Sequence, residues 1–315
     1  MENNIKTFMR NKSRVLISVL NYNNFESTKY CIYSILKSDY KNFEILIIDN
    51  KSLDDSFTHL KKEFKEINCI QSSLNRGYAA GHKMAVNYAV EHNFEFIWIL
   101  NNDLTVRKNT LKELINASNR NGLGLYGSIT LKSENPDIVN FGGGMTDNIK
   151  KPLNYNDFED FTLEKYNKTV GERKVQSVEG SSMLIPLQVI KKHGFMREDF
   201  FMYGEETDYC YKLNKLEIKS FIVPKSVIIH KGEGSFINNP IVRYYRRRNI
   251  LYFEKRHYKI SKIINIQLKT GLLSLLKYSI KISFSKPIKN DIYYINLANI
   301  HALFNIKGKL KTKYN

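Results

Sequence analysis

Three short stretches carry side chains whose types and spacing can do chemistry. The first is Leu100-Asn101-Asn102-Asp103, which directly follows the apolar run of residues 94–100. A carboxylate held at a strand end can coordinate Mg²⁺ or Mn²⁺, hard cations that take oxygen ligands and share them with phosphates. Taken alone, the same triplet is more often a plain turn. The second stretch, Tyr203-Gly204-Glu205-Glu206-Thr207-Asp208, crowds three carboxylates. Crowding raises the pKa of one of them and suits it to act as a general base. Acids also gather on a first helical turn simply because the helix dipole favours them there. The third is His230, which ends the apolar run of residues 227–229 and precedes the glycine-rich, flexible-looking residues 231–235. Such an imidazole can ligate a metal or contact a phosphate, or it can be a structural strand end.

These side chains need elements to position them, and the front half of the chain supplies an alternation of strands and helices. Residues 14–20 form a short apolar run dense in β-formers that stops at the turn-like Asn21–Asn24. Thr28, Cys31, Ile32, Ile35 and Leu36 recur at helical spacing within residues 25–38. Residues 43–48 read as a second strand ending at Asp49-Asn50. A helix then follows Ser52, which has Asp55 three residues on in the manner of a capping box. A third strand starts at Cys69, a helix runs from Gly77 to Val90, and residues 94–100 make a fourth strand. Near-continuous apolar strands alternating with helices imply a mostly parallel central sheet with helices on both faces. In such sheets the ligand sits beyond the carboxyl ends of the strands. Polar clusters fall there: Asn21–Asn24, Asp49–Asp55, Asn75–Gly77 and Asn101–Asp103.

Further on the pattern weakens. Residues 121–175 give no clear periodicity, and residues 141–145 and 151–166 read as loops or a short meander. A strand or buried helix over 180–186 leads to a helix near 187–193, and residues 205–216 read as helical. Residues 219–223 and 227–230 read as two short strands around Pro224.

Taken in order, the motifs closely resemble those of the family 2 glycosyltransferases. They are Val19-Leu20-Asn21-Tyr22-Asn23, Ile48-Asp49-Asn50-Lys51-Ser52-Leu53-Asp54, Asn75-Arg76-Gly77-Tyr78-Ala79-Ala80-Gly81 and Leu100-Asn101-Asn102-Asp103. Gly180-Ser181-Ser182-Met183-Leu184-Ile185, the segment from Phe201 to Asp208 and Tyr244-Tyr245-Arg246-Arg247-Arg248-Asn249 complete the series. Within the family they are similar to the rhamnosyltransferase-like branch, whose members build bacterial surface polysaccharides such as O-antigen, lipopolysaccharide and capsule. The resemblance spans roughly residues 14–257.

It implies a GT-A fold, a nucleotide-diphosphate sugar donor, Mg²⁺ or Mn²⁺ as cofactor and inversion at the anomeric carbon. Carried over by position, Asp49 contacts the nucleotide base, and Asn21 and Asn23 line the same pocket. Asn75 and Gly77 lie beside the nucleotide-sugar, as do Asn101 and Asn102. Arg248 falls in a segment suited to the diphosphate. Asp103 matches the last acid of the family's Asp-x-Asp motif, and His230 a histidine near the metal. Glu206 occupies the place of the general base, flanked by Glu205 and Asp208. Three departures stand out. Asn101 replaces the motif's first acid, so metal binding rests on Asp103 and His230. His82 replaces an Asn, a change that bears on donor preference. Glu206 has a longer arm than the usual Asp, which leaves Glu205 and Asp208 open as alternative bases.

Composition bounds the rest. The 315 residues carry a net charge of +18, of which +15 falls between Arg243 and Asn315, where 17 Lys and Arg meet only Glu254 and Asp291. Residues 1–242 are thus nearly neutral, and with the resemblance ending near residue 257 the chain divides into a catalytic domain, residues 1–257, and a basic helical extension, residues 258–315. On a helical wheel, Lys255, Lys259, Lys262, Lys269, Lys277 and Lys281 fall within an arc of roughly 120°. Ile260, Ile264, Leu268, Leu272, Leu275, Tyr278 and Ile282 lie opposite, with a bend at Gly271 and an end at Pro287. A lysine face opposite an Ile/Leu face suits an anionic membrane surface, as it does a helix packed on the catalytic domain with solvated lysines.

No apolar run reaches the roughly 18 residues that span a bilayer, the N-terminus shows no signal peptide, and Cys31, Cys69 and Cys210 form no metal or disulfide pattern. The expectation is a cytoplasmic enzyme, peripheral on the inner face of the plasma membrane, acting on a lipid-linked glycan acceptor. Charge alone favours a nucleic-acid-binding protein, and no RNA- or DNA-binding motif accompanies it. A sugar-nucleotide pyrophosphorylase would need a Gly-rich loop where Asn21–Asn24 stand, and a dehydrogenase would need GxGxxG after the first strand. Against a non-catalytic sugar-nucleotide-binding relative stand the retained acids Asp103, Glu205 and Glu206.

Overall fold

A computed structural model describes residues 13–145, 155, 156, 158, 160–231, 239–258 and 290–310. These fall into two units, one within Met1–Arg197 and Glu206–Gly232, the other within Glu198–Glu205 and Glu233–Asn315.

The first unit begins with strand–helix alternation: β1 (Val15–Asn21), α1 (Phe25–Leu36), β2 (Phe43–Asp49), α2 (Ser56–Glu63), β3 (Asn68–Gln71), α3 (Tyr78–Glu91) and β4 (Phe96–Asn101). β5 (Leu104–Val106), α4 (Thr110–Asn121), β6 (Gly124–Lys132) and β7 (Val139–Phe141) follow. β8 (Gly144–Met145) and β9 (Tyr155–Asn156) pair as a small separate sheet. Then come α5 (Leu163–Thr169), β10 (Arg173–Val175), β11 (Ser182–Pro186), α6 (Leu187–His193), α7 (Glu205–Asn214) and β12 (Lys219–His230).

The main sheet has the order β10-β12-β6-β11-β4-β1-β2-β3. β4, β1, β2 and β3 are parallel, as are β6 and β12, and β11 runs antiparallel between the two groups. Successive side chains of a strand point to opposite faces, and that period divides the core. Leu16, Leu46, Ile48, Ile97 and Ile99 pack on one face, whereas Val15, Ile17, Val19, Ile45, Ile47, Trp98 and Leu100 pack on the other. Each fully buried Leu or Ile stabilises by about 1.5–3 kcal/mol. Burial on both sides explains why these strands read as continuous apolar runs.

Three local expectations change. β6, absent from the sequence reading, is a nine-residue strand in the middle of the sheet. Its Gly127 lets Val178 approach so closely that a Cβ would lie 2.6 Å from the Val178 Cβ. The two short strands around Pro224 are one strand, β12, whose pairing with β6 shifts register between Val223 and Val227. Proline cannot donate to a ladder, so the bulge accommodates it. α2 starts at Ser56, with Asp54 accepting from the Ser56 N–H at 3.0 Å, rather than being capped by Ser52. The Ser52 hydroxyl is bonded to the Asp49 carboxylate instead.

The second unit contains α8 (Pro240–His257), α9 (Asn290–Leu303) and the segment 198–205. Tyr244 Oη meets His301 Nδ1 at 2.6 Å, and Arg247 Nε donates to Asn299 Oδ1 at 2.8 Å, so the first half of α8 is joined to the last turns of α9. The sequence division at 257/258 follows the span of the resemblance, and packing groups α8 with α9. The amphipathic stripe expected from Lys255 to Ile282 falls, from residue 259 on, outside the described residues, as do the glycine-rich residues 232–235.

Candidate active site

Strand register assembles the first part of the site. Asn21 ends β1 opposite Asp49 at the end of β2, and Asp49 in turn faces Gln71 at the end of β3. The fully buried Asp49 carboxylate accepts from Asn21 Nδ2 at 2.8 Å, Ser52 N at 2.9 Å, Gln71 Nε2 at 2.9 Å and the Ser52 hydroxyl. Four donors fill the capacity of its two oxygens. Asn21 Oδ1 accepts from Thr28 Oγ1 at 2.7 Å, and Asn102 Nδ2 donates to Thr28 Oγ1 at 2.8 Å. Asn23 takes a left-handed φ of 51°, which Asn tolerates, and its Oδ1 accepts from Leu53 N at 2.7 Å. Next to this group, Asn50 Nδ2 donates to Asn75 Oδ1 and to Gly77 O, both at 3.1 Å. Gly77 precedes α3 with φ 96° and ψ −172°, a conformation essentially reserved for glycine.

The second part is built by the β4–β5 turn. Asn101 uses its backbone, donating N–H to Ser181 O at 3.1 Å across the β4–β11 edge. The chain then turns through Asn102 and Asp103 into β5, which pairs antiparallel with the end of β12 so that Leu104 faces His230. Lys231 N donates to Asp103 O at 3.1 Å. The outcome is a side-chain contact between residues far apart in sequence, His230 Nε2 and Asp103 Oδ1 at 2.9 Å. Burial pushes the Asp103 carboxyl up, and the hydrogen bond and charge of His230, with a backbone hydrogen bond and the charge of Lys231, outweigh it and leave it below its ordinary value.

The three acids of the second motif lie on the first turn of α7. Glu205 and Asp208, three apart and therefore on one face, are each 2% exposed, whereas Glu206 is half-buried. Exposure separates the candidates: among these acids Glu206 has the surface a substrate can reach.

Arg248 is the candidate whose surroundings differ most from the sequence expectation. Its side chain is fully buried in the second unit. There Nη2 donates to Phe200 O at 2.7 Å, Nη1 to Gly308 O at 2.8 Å and Nε to Asn249 Oδ1 at 3.0 Å, and the guanidinium stacks over Tyr244, Tyr245 and Tyr252. Asn249 Nδ2 donates to Met202 O at 2.7 Å and Tyr203 O at 2.8 Å. Together they hold a turn in which Phe201, Tyr203 and Gly204 all have positive φ. The Arg-Asn pair of the motif thus serves the backbone of its own unit. A diphosphate contact is not what its donors are engaged in.

Several participants escaped the sequence reading. Thr28, Ser52 and Gln71 complete the strand-end network, and a hydroxyl or amide next to a strand-end Asn or Asp was their only signal. Glu179 precedes Gly180 with its carboxylate held by Thr130 and Ser181. Cysteine chemistry is absent from the picture, because burial pushes Cys31 up and Cys69 and Cys210 each to about 12.

Comparison with known proteins places this geometry in context. Residues 16–174 match the family model described as Glycosyl transferase family 2. The chain is 26% identical over 211 residues to the low-salt glycan biosynthesis hexosyltransferase Agl10 of Haloferax volcanii. That match covers 64% of this chain and 62% of Agl10, less than two thirds of the relative. It is 22% identical over 282 residues to the dTDP-rhamnosyl transferase RfbF of Shigella flexneri, covering 85% of this chain and 88% of the relative. Among solved structures the fold is similar to the mannosyltransferase PcManGT from Pyrobaculum calidifontis in complex with GDP-Man and Mn²⁺. The TM-score is 0.59 at 12% identity, over 94% of this chain and 88% of that one. GalNAc-T7 with UDP, GalNAc and Mn²⁺ is similar with a TM-score of 0.57 at 14% identity, over 89% of this chain and 59% of that one.

Proposed function

The chain belongs to glycosyl transferase family 2 and has the GT-A fold, and on that premise we propose that it moves a sugar from a nucleotide-diphosphate donor to a glycan hydroxyl with inversion. The observation that carries the reading is the meeting of Asp103 and His230 at 2.9 Å, beside the strand ends where Asn21, Asp49 and Asn102 converge.

A carboxylate and an imidazole whose donor atoms converge are a fitting pair for Mn²⁺ or Mg²⁺. Among the described residues no group of three or more His, Cys, Asp and Glu could hold a metal. Asp103 and His230 would therefore hold it together with oxygens of the donor diphosphate and water. When bound, the metal neutralises charge that develops on the departing diphosphate. Asn21, Asn23 and Asp49 would line the base and ribose side, with a base reaching Asp49 in exchange for one of its present donors. Asn75, Gly77, Asn101 and Asn102 would border the diphosphate and sugar.

Glu206 is the assigned base. As the acceptor oxygen forms its bond to the anomeric carbon, the hydroxyl proton passes to the Glu206 carboxylate. The bond from that carbon to the diphosphate oxygen breaks on the opposite side, so one displacement inverts the configuration. The buried Glu205 and Asp208 would act as its neighbours.

The donor is taken as UDP- or dTDP-linked. Likeness to RfbF supports dTDP-rhamnose, and likeness to Agl10 supports a hexose. The acceptor is taken as a lipid-linked glycan in surface-polysaccharide synthesis (O-antigen or capsule). We assign residues 1–257 to catalysis and residues 258–315 to attachment at an anionic membrane, on its inner face. No described helix is long and apolar enough to cross a membrane. Support for a surface role comes from Leu303, Phe304 and Ile306, exposed side by side at the end of α9 next to the exposed Lys307 and Lys309.

The test is the product. Incubated with its donor, an acceptor and Mn²⁺, the protein is expected to yield a glycoside whose anomeric configuration, read by NMR, is opposite to the donor's. Retained configuration would overturn the scheme. Wild-type turnover by Glu206→Gln would remove Glu206 as base.

A further inference from the structure

Glu179 is a carboxylate that this chemistry leaves unused. It stands three residues before β11. Its Oε2 accepts from Thr130 Oγ1 and from Ser181 Oγ, each at 2.7 Å, and both hydroxyl residues are buried. One oxygen is therefore fixed by a donor from β6 and by one from its own segment just before β11. Oε1 has no hydrogen-bond partner among the described residues. The backbone around it is equally tied: Tyr78 Oη donates to Gly180 O at 2.5 Å, and Ser181 O accepts from Asn101 N at 3.1 Å.

Register tells where this carboxylate stands. In the β4–β11 ladder Ser182 faces Leu100 and, one step on, Ser181 takes the Asn101 N–H. Glu179 lies two residues before Ser181, where β4 has ended and the chain turns through Asn102 and Asp103. On the other side, Thr130 of β6 stands level with Ile228 in β12, two residues before His230. Glu179 is thus brought to the strand-end rim that carries Asp103 and His230.

A carboxylate with one oxygen anchored and one unused, on a rim built to receive sugars, has an evident complement. An ionised carboxylate only accepts hydrogen bonds, and a pyranose offers hydroxyl donors. We propose that Glu179 is a specificity-determining residue that accepts a hydrogen bond from a sugar hydroxyl, of either the donor or the acceptor saccharide. The inference rests on the glycosyl-transfer reading and deepens it.

Glu179→Ala tests it in three arms, each compared with wild type in the presence of Mn²⁺. Affinity for the nucleoside diphosphate alone is expected to stay within about twofold. If the hydroxyl belongs to the donor, affinity for the nucleotide-sugar falls by about tenfold or more, the scale of a lost hydrogen bond to a charged group. If it belongs to the acceptor, donor affinity is unchanged and the acceptor KM rises by that factor. Should the alanine variant not fold, Glu179→Gln keeps an acceptor for Thr130 and Ser181. It is expected to move the same arm by about threefold, since a neutral bond replaces a charge-assisted one. No change in any arm, or equal weakening of nucleoside diphosphate and nucleotide-sugar, overturns the role of Glu179. Failure of the wild-type protein to bind any nucleotide-sugar would instead remove the glycosyl-transfer reading on which it stands.

Discussion

Asp49 and Asp103 are both strand-end aspartates, and their surroundings assign them different work. Asp49 is fully buried under four donors, whereas the Asp103 side chain keeps 32% of its surface and meets one imidazole. Asp49→Ala is expected to destabilise the fold by about 2–3 kcal/mol in urea unfolding, because it orphans buried donors. Unchanged stability would show that the network does not hold the strand ends together. Asp103→Ala, which removes one partly exposed contact to His230, should lower stability less than Asp49→Ala.

His82 supplies a pH test at the same scale. It is fully buried with Nδ1 2.7 Å from Ser18 Oγ, and burial lowers its pKa from 6.5 to about 3. The folded state refuses a proton that the unfolded chain accepts below pH 6.5. Stability from this group is therefore intact above pH 6.5 and falls as the pH drops from there toward 3. At pH 5 the loss is on the order of 2 kcal/mol. A folded His82→Gln variant should lack this component, so its stability falls less than wild type between pH 7.5 and 5. Parallel curves would contradict the assignment.

Elements were legible where burial wrote a simple pattern. β1, β2 and β4, packed on both faces, read as apolar runs, and the polar side chains at their ends announced the site. β6 was not legible, because Gly124, Gly127, Ser128 and Thr130 interrupt its apolar run for reasons that lie elsewhere in the chain. Gly127 yields to Val178, Ser128 bonds Ser182 and Ser226, and Thr130 holds Glu179. Glu179 was illegible for the same reason, since its significance depends on the register of β11 against β4 and β6. Arg248 was legible as a conspicuous residue but not in its surroundings, which depend on how segment 198–205 folds onto α8. Asn249→Ala, which leaves the Met202 and Tyr203 carbonyls without their donor, should lower stability by about 1–3 kcal/mol. An unchanged denaturation midpoint would mean that the left-handed turn at Phe201–Gly204 holds without the clamp.

At the scale of the whole molecule, the net charge of +18 separates into a nearly neutral front and a basic end. Full-length protein is expected to co-sediment with vesicles containing anionic lipid and not with neutral ones, and to be released by salt, as screening requires. Phe304→Asp should reduce the bound fraction. Equal binding to neutral vesicles would contradict an electrostatic attachment.

If Asp103 and His230 hold a divalent metal for a nucleotide-sugar, binding measures it directly. A panel of UDP- and dTDP-sugars is titrated into wild-type protein and Asp103→Ala, with Mn²⁺ or Mg²⁺ and with chelator. At least one donor is expected to bind wild type tenfold or more tightly with metal, by about 1.4 kcal/mol or more, and to gain nothing from metal with Asp103→Ala. Absence of metal-dependent binding to wild type, or the same metal dependence in the variant, would contradict it.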